Sequence, residues 1–287
     1  MSLLSTNWRT AALHLVPPTV STAAISIIFA LIHKFSSVEI EAVPFSESKM
    51  GATGAFLNMI LYISIAFIGG FFLYILFRKA KINILKSIFT VFYFFTSLFA
   101  ILLLEDEILI ILGVQVINLF IYILPPFLSA FFITYISVFS RSRKAKKITI
   151  ILFSSLMGFL LGISLPILTL TFTLIALSLY DIYSVKKGPI RSIMETIEEK
   201  QGQFDTLTLT YTSQYAEIGL GDLIFYTALN VRVITSYSII PIIMTFAGML
   251  LGLLITCKIL EKEHIVPGLP LPSLLAIAFL FISLIIS

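Results

Sequence analysis

The chain has 287 residues, 59% of them apolar and only 12% charged, and its mean hydropathy is +1.06. A soluble globular protein carries roughly twice that charge fraction, so a soluble domain is excluded. A membrane β-barrel is excluded too, since it would show short alternating segments of about ten residues. What remains is an all-α, polytopic membrane protein. The net charge of +4 does not point to nucleic acid, because the basic residues cluster beside the apolar runs, as the positive-inside rule requires.

Runs long enough to cross about 30 Å of hydrocarbon fall at 17–33, 54–77, 85–104, 108–140, 147–163, 164–184, 216–235, 237–257 and 269–287. The first begins near Pro17 with no small-residue cleavage pattern after it, so it reads as an anchor and not a removed signal. The run 108–140 holds Pro125 and Pro126 and reads as one kinked span or two short ones. The run 147–184 is too long for one span and is split near Gly162 to Pro166. The expected division is therefore six spans in 1–184, a connection over 185–215, and three more spans in 216–287.

Charge supports this layout. With nine spans, sixteen of the basic residues fall on the side of the N-terminus and three, Lys34, Lys49 and Arg232, on the other, which also holds the acidic cluster Glu105, Asp106 and Glu107. That asymmetry puts the N-terminus in the cytoplasm and the C-terminus outside.

In the connection, "GPIRSIMETIEEKQG" places Ile190, Ile193, Met194 and Ile197 on one helical face, predicting an amphipathic helix at the membrane surface. "DTLTLTYT" (205–212) then alternates strictly, which is a strand signal. A strand needs a partner, and none is evident in the sequence.

Cys257 is the only cysteine, and His14, His33 and His264 are widely scattered, so neither a disulfide nor a metal or other cofactor is expected. The ionisable residues inside spans are the ones to explain, because a carboxylate in hydrocarbon is costly and marks a functional site by default. Asp181, in "LSLYDIYSVKK", lies five residues before Lys186, and Asp222 lies five after Glu217. On consecutive antiparallel helices rising 1.5 Å per residue, each sits about 7–8 Å inside the same end. Two carboxyl groups so placed should share one proton and titrate as a pair. That state suits peptide hydrolysis, one aspartate activating water while the other donates to the carbonyl oxygen.

Gly219 and Gly221 bare the backbone beside Asp222, and "VPGLPLPS" (266–273) breaks the start of the last span and frees carbonyls near it. A substrate helix hides its own carbonyls until it unwinds. The strand and the proline stretch offer partners to the unwound segment by strand addition. Tyr180 is expected beside the aspartates, with Tyr226 packing between helices. Gln115 and Asn118 are expected to bond between helices, and the GxxxG pairs at 158–162 and 248–252 to pack helices within the chain.

Tyr180-Asp181, Gly219-Leu220-Gly221-Asp222 and Pro267-Gly268-Leu269-Pro270 resemble the YD, GxGD and PALP motifs of the presenilin and signal peptide peptidase family of intramembrane aspartyl proteases. "GLGDLIFYT" and "KKGPIR" resemble the presenilin branch, and the short termini an archaeal-type homologue. The resemblance implies a presenilin-like fold and a catalytic pair Asp181 and Asp222. It also implies substrate contacts at Gly219, Leu220, Gly221, Pro267, Gly268, Leu269 and Tyr180, and single-span substrates with the N-terminus outside. Gly268 stands where the motif has alanine, read as a mild change. The short connection makes self-cleavage doubtful, and accessory subunits are not expected. Oligomeric state is left open.

Two other classes fit part of the pattern. A proton- or cation-conducting transporter or leak channel would use the same carboxylates, but would show inverted repeats with paired broken helices, which are not found. A prepilin-type peptidase also uses GxGD but lacks the proline motif on its last span.

Overall fold

The computed structural model describes residues 2–3, 7–38, 40, 42–79, 82–115, 118–140, 142–187, 210–213, 215–263 and 265–286. The amphipathic helix expected at 190–197, the first part of the expected strand and His264 lie outside these residues.

Local chemistry sets most helix ends. Asn7 caps α1 (Trp8–Ser36) by accepting the Arg9 N–H at 3.0 Å, and the helix ends at Ser37, whose backbone is left-handed with φ 54°. The helix α2 (Glu47–Lys79) kinks at Gly51, φ 56°, where the missing Cβ allows the turn. Gly113, φ 64°, ends α3 (Ile82–Leu112), and Asn118 caps α4 (Leu119–Phe139) by accepting the Phe120 N–H at 2.9 Å. The uncertain run 108–140 is thereby resolved: its first residues extend α3, and the rest is one helix with both prolines inside.

The long run 147–184 divides into α5 (Arg143–Ser164) and α6 (Ile167–Lys187), with Pro166 directly before α6. The Glu47 side chain accepts the backbone N–H of Thr169, satisfying an orphan donor in the first turn of α6. Buried Asn58 of α2 also donates to Thr169 Oγ1 and to the Phe45 carbonyl.

Three helices complete the described bundle: α7 (Leu220–Ser236), α8 (Ile239–Leu260) and α9 (Pro270–Ile286). Among the described residues, seven helices, α1–α6 and α8, are long and apolar enough to cross a membrane, and α9 is apolar but shorter. Helix α7 sits in the middle, packed against α1, α5 and α8. Leu223, Ile224, Tyr226 to Val231, Val233 and Ile234 are all buried, on every side of the helix. This position explains its polar content, since Thr227 and Asn230 face protein and bond to it. By contrast α2, α3 and α4 carry outward apolar faces, with Phe71, Phe95, Phe120 and Phe131 all exposed, a surface suited to lipid.

One expectation needs correction. The sequence predicts the seventh span from residue 216, but Ala216–Gly219 is a strand, β3, and the helix starts only at Leu220. It is the missing partner of the expected strand, whose described end is β2 (Thr210–Thr212). A third strand, β1 (Ser2–Leu3), pairs with the other edge of β3, giving the order β1-β3-β2, all antiparallel.

Glu105, Asp106 and Glu107 are likewise part of α3 and not a loop. Glu107 is buried and pairs with buried His33 Nδ1 at 2.5 Å. Both GxxxG pairs pack inside the chain: Gly158 and Gly162 meet Thr227, Ala228 and Val231 of α7, and Gly248 and Gly252 meet Leu275, Leu271 and Pro272 of α9.

Candidate active site

Asp222 lies in the first turn of α7, at the third position after the cap residue Gly219. Its carboxylate turns back toward the Gly219 backbone, whose N–H it can accept. A helix N-terminus favours negative charge there. Asp181 lies near the end of α6. Both aspartates are half-buried.

The two carboxylates meet the same short segment, 267–269, which leads into α9. Asp181 Oδ2 accepts the Leu269 N–H at 3.2 Å. The Asp222 carboxylate packs on the bare Cα of Gly268: a Cβ built there would stand 2.1 Å from Oδ2 and 2.7 Å from Cγ. The replacement of alanine by glycine is therefore not mild in this chain, because the carboxylate fills the space of the methyl group.

The segment itself is fixed by side chains that sequence reasoning did not select. Buried Tyr226, one turn after Asp222 on α7, donates its hydroxyl to the Gly268 carbonyl at 2.6 Å. Ser273 donates to the Leu269 carbonyl at 2.5 Å. With its proton so used, Ser273 accepts from Ser178 at 2.9 Å, which ties α9 to α6 one turn before Asp181. A signal existed for both: Tyr226 is four residues after Asp222 and Ser178 three before Asp181, so each shares a helix face with its aspartate.

The other selected residues fall as follows. Leu220 and Leu269 are buried, Pro267 is half-buried, and Gly221 is exposed with open space beside it. Tyr180 turns to α2: its ring packs edge-on against Phe67 at 6.0 Å, and its hydroxyl would lie 3.3 Å from a Cβ on Gly70. The two tyrosines thus exchange their expected places. Asn118 caps α4, and Gln115 lines a cavity of about 390 Å³ with Asp106 and Tyr122, between α3 and α4. Among the described residues, no three His, Cys, Asp or Glu side chains gather as metal ligands would.

No protein-family model and no curated protein matches the sequence. Solved structures do match. A presenilin family intramembrane aspartate protease crystallised in space group C222 superposes with a TM-score of 0.66 at 18% identity, over 96% of this chain and 99% of that one. Another such structure, in space group P2, gives 0.63 at 19% identity, over 95% and 98%. At nearly full coverage of both chains, this chain has the fold of the presenilin family intramembrane aspartate proteases.

Proposed function

We propose that the chain is an intramembrane aspartyl endopeptidase that hydrolyses peptide bonds within the transmembrane segments of single-span membrane proteins, using Asp181, Asp222 and water. The observation that carries this reading is the convergence of both carboxylates, from different helices, on the Gly268–Leu269 segment. The likeness in fold to aspartate proteases supports it.

The pair starts with one proton. The ionised aspartate takes a proton from water as the water oxygen attacks the scissile carbonyl carbon, while the protonated aspartate gives its proton to the carbonyl oxygen. In the resulting gem-diol the roles reverse. One aspartate returns a proton to the amide nitrogen and the other takes one from a diol hydroxyl, the C–N bond breaks, and the pair regains its starting state. No cofactor is needed.

Gly219, Leu220 and Gly221 on one side and Pro267, Gly268 and Leu269 on the other form the walls that a substrate backbone would meet. Tyr180 lines the junction of α6 with α2. The charge asymmetry orients the bundle with its N-terminus in the cytoplasm and its C-terminus outside in a multi-pass arrangement, and the substrates enter with their N-termini outside.

The test is capture by a photoreactive hydroxyl-bearing isostere of the gem-diol, applied to purified protein in lipid. Labelling that is competed by the unmodified isostere and lost in Asp181→Asn and in Asp222→Asn supports the reading. Equal labelling of both variants and the wild type contradicts it.

A further inference from the structure

A groove of about 230 Å³ runs between α3 and α4, neither of which carries an aspartate of the pair. On the α4 side Phe131, Tyr135 and Phe139 stand one turn apart and stack, with ring centroids 6.2 and 5.8 Å apart and interplanar angles of 16° and 28°. The three rings are exposed and make an apolar wall about 12 Å long at 1.5 Å per residue. Val91, Phe94 and Phe95 of α3 line the other side. One group in the groove lacks a partner. Thr134 is only 3% exposed, and among the described residues its hydroxyl makes no hydrogen bond. Thr90 and Thr149, by contrast, donate to the carbonyls of Lys86 and Ala145, four residues back on their own helices. A buried hydroxyl without a partner is costly, so Thr134 calls for an acceptor from outside the chain.

The groove ends among cations. Phe139 is the last residue of α4, and α5 starts four residues later with Arg143 and Lys144 and no acid in its first turn. Cations there oppose the helix dipole, which favours an anion at that end. Lys86, in the second turn of α3, lies one turn before Thr90, another residue of the groove. Lys86, Arg143 and Lys144 form no ion pair with a described residue. Basic residues beside a span are ordinary, and so is an apolar face toward lipid. An apolar groove with an unmet donor inside and free cations at its mouth matches one kind of molecule.

We propose that the groove between α3 and α4 binds an anionic glycerophospholipid from the leaflet on the basic side of the membrane. One hydrocarbon chain lies along Phe131, Tyr135 and Phe139. Thr134 turns its hydroxyl to an oxygen that links this chain to the glycerol, and the phosphate sits among Lys86, Arg143 and Lys144. The depths agree. Thr134 is six residues before the α4 cap Ser140, about 9 Å inside the basic end at 1.5 Å per residue, which puts the donor below the headgroup and beside the start of the chain. A zwitterionic lipid brings a cation of its own against the three basic residues, so the site selects by headgroup charge. The proposal does not depend on the protease reading.

The test uses the full chain in a nonionic detergent, with one tryptophan as reporter. Trp8 is the only native tryptophan. Trp8→Phe with Phe131→Trp puts the sole fluorophore in the groove, and Trp8→Phe with Phe120→Trp puts it at the other end of α4, also exposed, as a control. Each protein is titrated with phosphatidylglycerol or phosphatidylcholine brominated on the chains, which quench a tryptophan they touch. Thermal unfolding confirms that each variant is folded. The Phe131→Trp reporter should reach half-quenching at about a tenfold lower fraction of phosphatidylglycerol than of phosphatidylcholine, and the Phe120→Trp reporter at equal fractions. Lys86→Gln, Arg143→Gln and Lys144→Gln together should abolish the preference, and Thr134→Val should raise both midpoints about threefold. Equal quenching of the groove reporter by both lipids overturns the proposal. So does a preference that survives the triple variant or is shared by the Phe120→Trp reporter. A preference lost in the triple variant with midpoints untouched by Thr134→Val supports the headgroup site and overturns the hydroxyl contact.

Discussion

The carboxylate of Asp222 lies against the bare Cα of Gly268, so close that a Cβ there would stand 2.1 Å from Oδ2. A short side chain on a helix can yield only by changing rotamer, which would carry the carboxylate off the segment that also binds Asp181. Gly268→Ala is therefore expected to lower kcat about 10²-fold, the usual cost of misplacing a reacting group by about 1 Å. The check is steady-state cleavage of a reporter, with thermal unfolding to confirm that the variant is folded. Wild-type activity in Gly268→Ala would mean that the carboxylate is not held in this position.

Tyr226 acts on the same residue from one turn farther along α7. Tyr226→Phe leaves the buried Gly268 carbonyl without its donor, at about 1–3 kcal/mol, and loosens the segment that supplies the Leu269 N–H to Asp181. The expected result is a kcat reduced about tenfold or more, since about 1.4 kcal/mol is a factor of ten. KM should change little, because no substrate contact is removed. A rise in KM at constant kcat would instead make Tyr226 a substrate contact.

The glycines separate packing from permissiveness. In Gly252, a Cβ would meet the Leu271 carbonyl oxygen and the Pro272 Cα, each at 2.5 Å, and both are backbone atoms that cannot rotate away. Gly252→Ala should push α9 outward and cost about 1–3 kcal/mol, visible as a lower melting temperature in detergent. At Gly69 a Cβ meets nothing within 4 Å. Gly69→Ala should be neutral or raise stability by about 0.5–1 kcal/mol, as alanine does in a helix.

The buried pair His33 and Glu107 joins α1 to α3. Removing one partner strands the other in a buried site, so His33→Leu or Glu107→Leu should each destabilise by about 1–3 kcal/mol. The double variant should cost less than the two singles together, as for a buried pair replaced by apolar groups. Additive losses would show that the two side chains do not act as a unit.

Much of the bundle is legible because hydrocarbon imposes a length on each apolar run, and all nine runs correspond to a helix among the described residues. Asp181 and Asp222 are legible for the same reason, as carboxylates where the solvent would be lipid. The strand β3 was not. "AEIG" is four residues long and joins an apolar run without a break, so neither period nor composition marks its end. The position of Glu107 in a helix was hidden because its partner His33 is 74 residues away. The role of Tyr226 is only half legible: its spacing puts it on the face of Asp222, but not against the Gly268 carbonyl, which lies 42 residues away.

The central claim is that Asp181 and Asp222 together cut peptide bonds inside the membrane. Its most direct test is incubation of the purified protein in lipid with a single-span, N-out reporter, comparing wild type with Asp181→Asn and Asp222→Asn and locating the product ends by mass spectrometry. The account predicts a cut within the transmembrane segment by wild type, lost in each variant with the fold intact. A variant that cuts as well as wild type would contradict it, as would ion flux through liposomes that depends on both aspartates in a protein that cuts nothing.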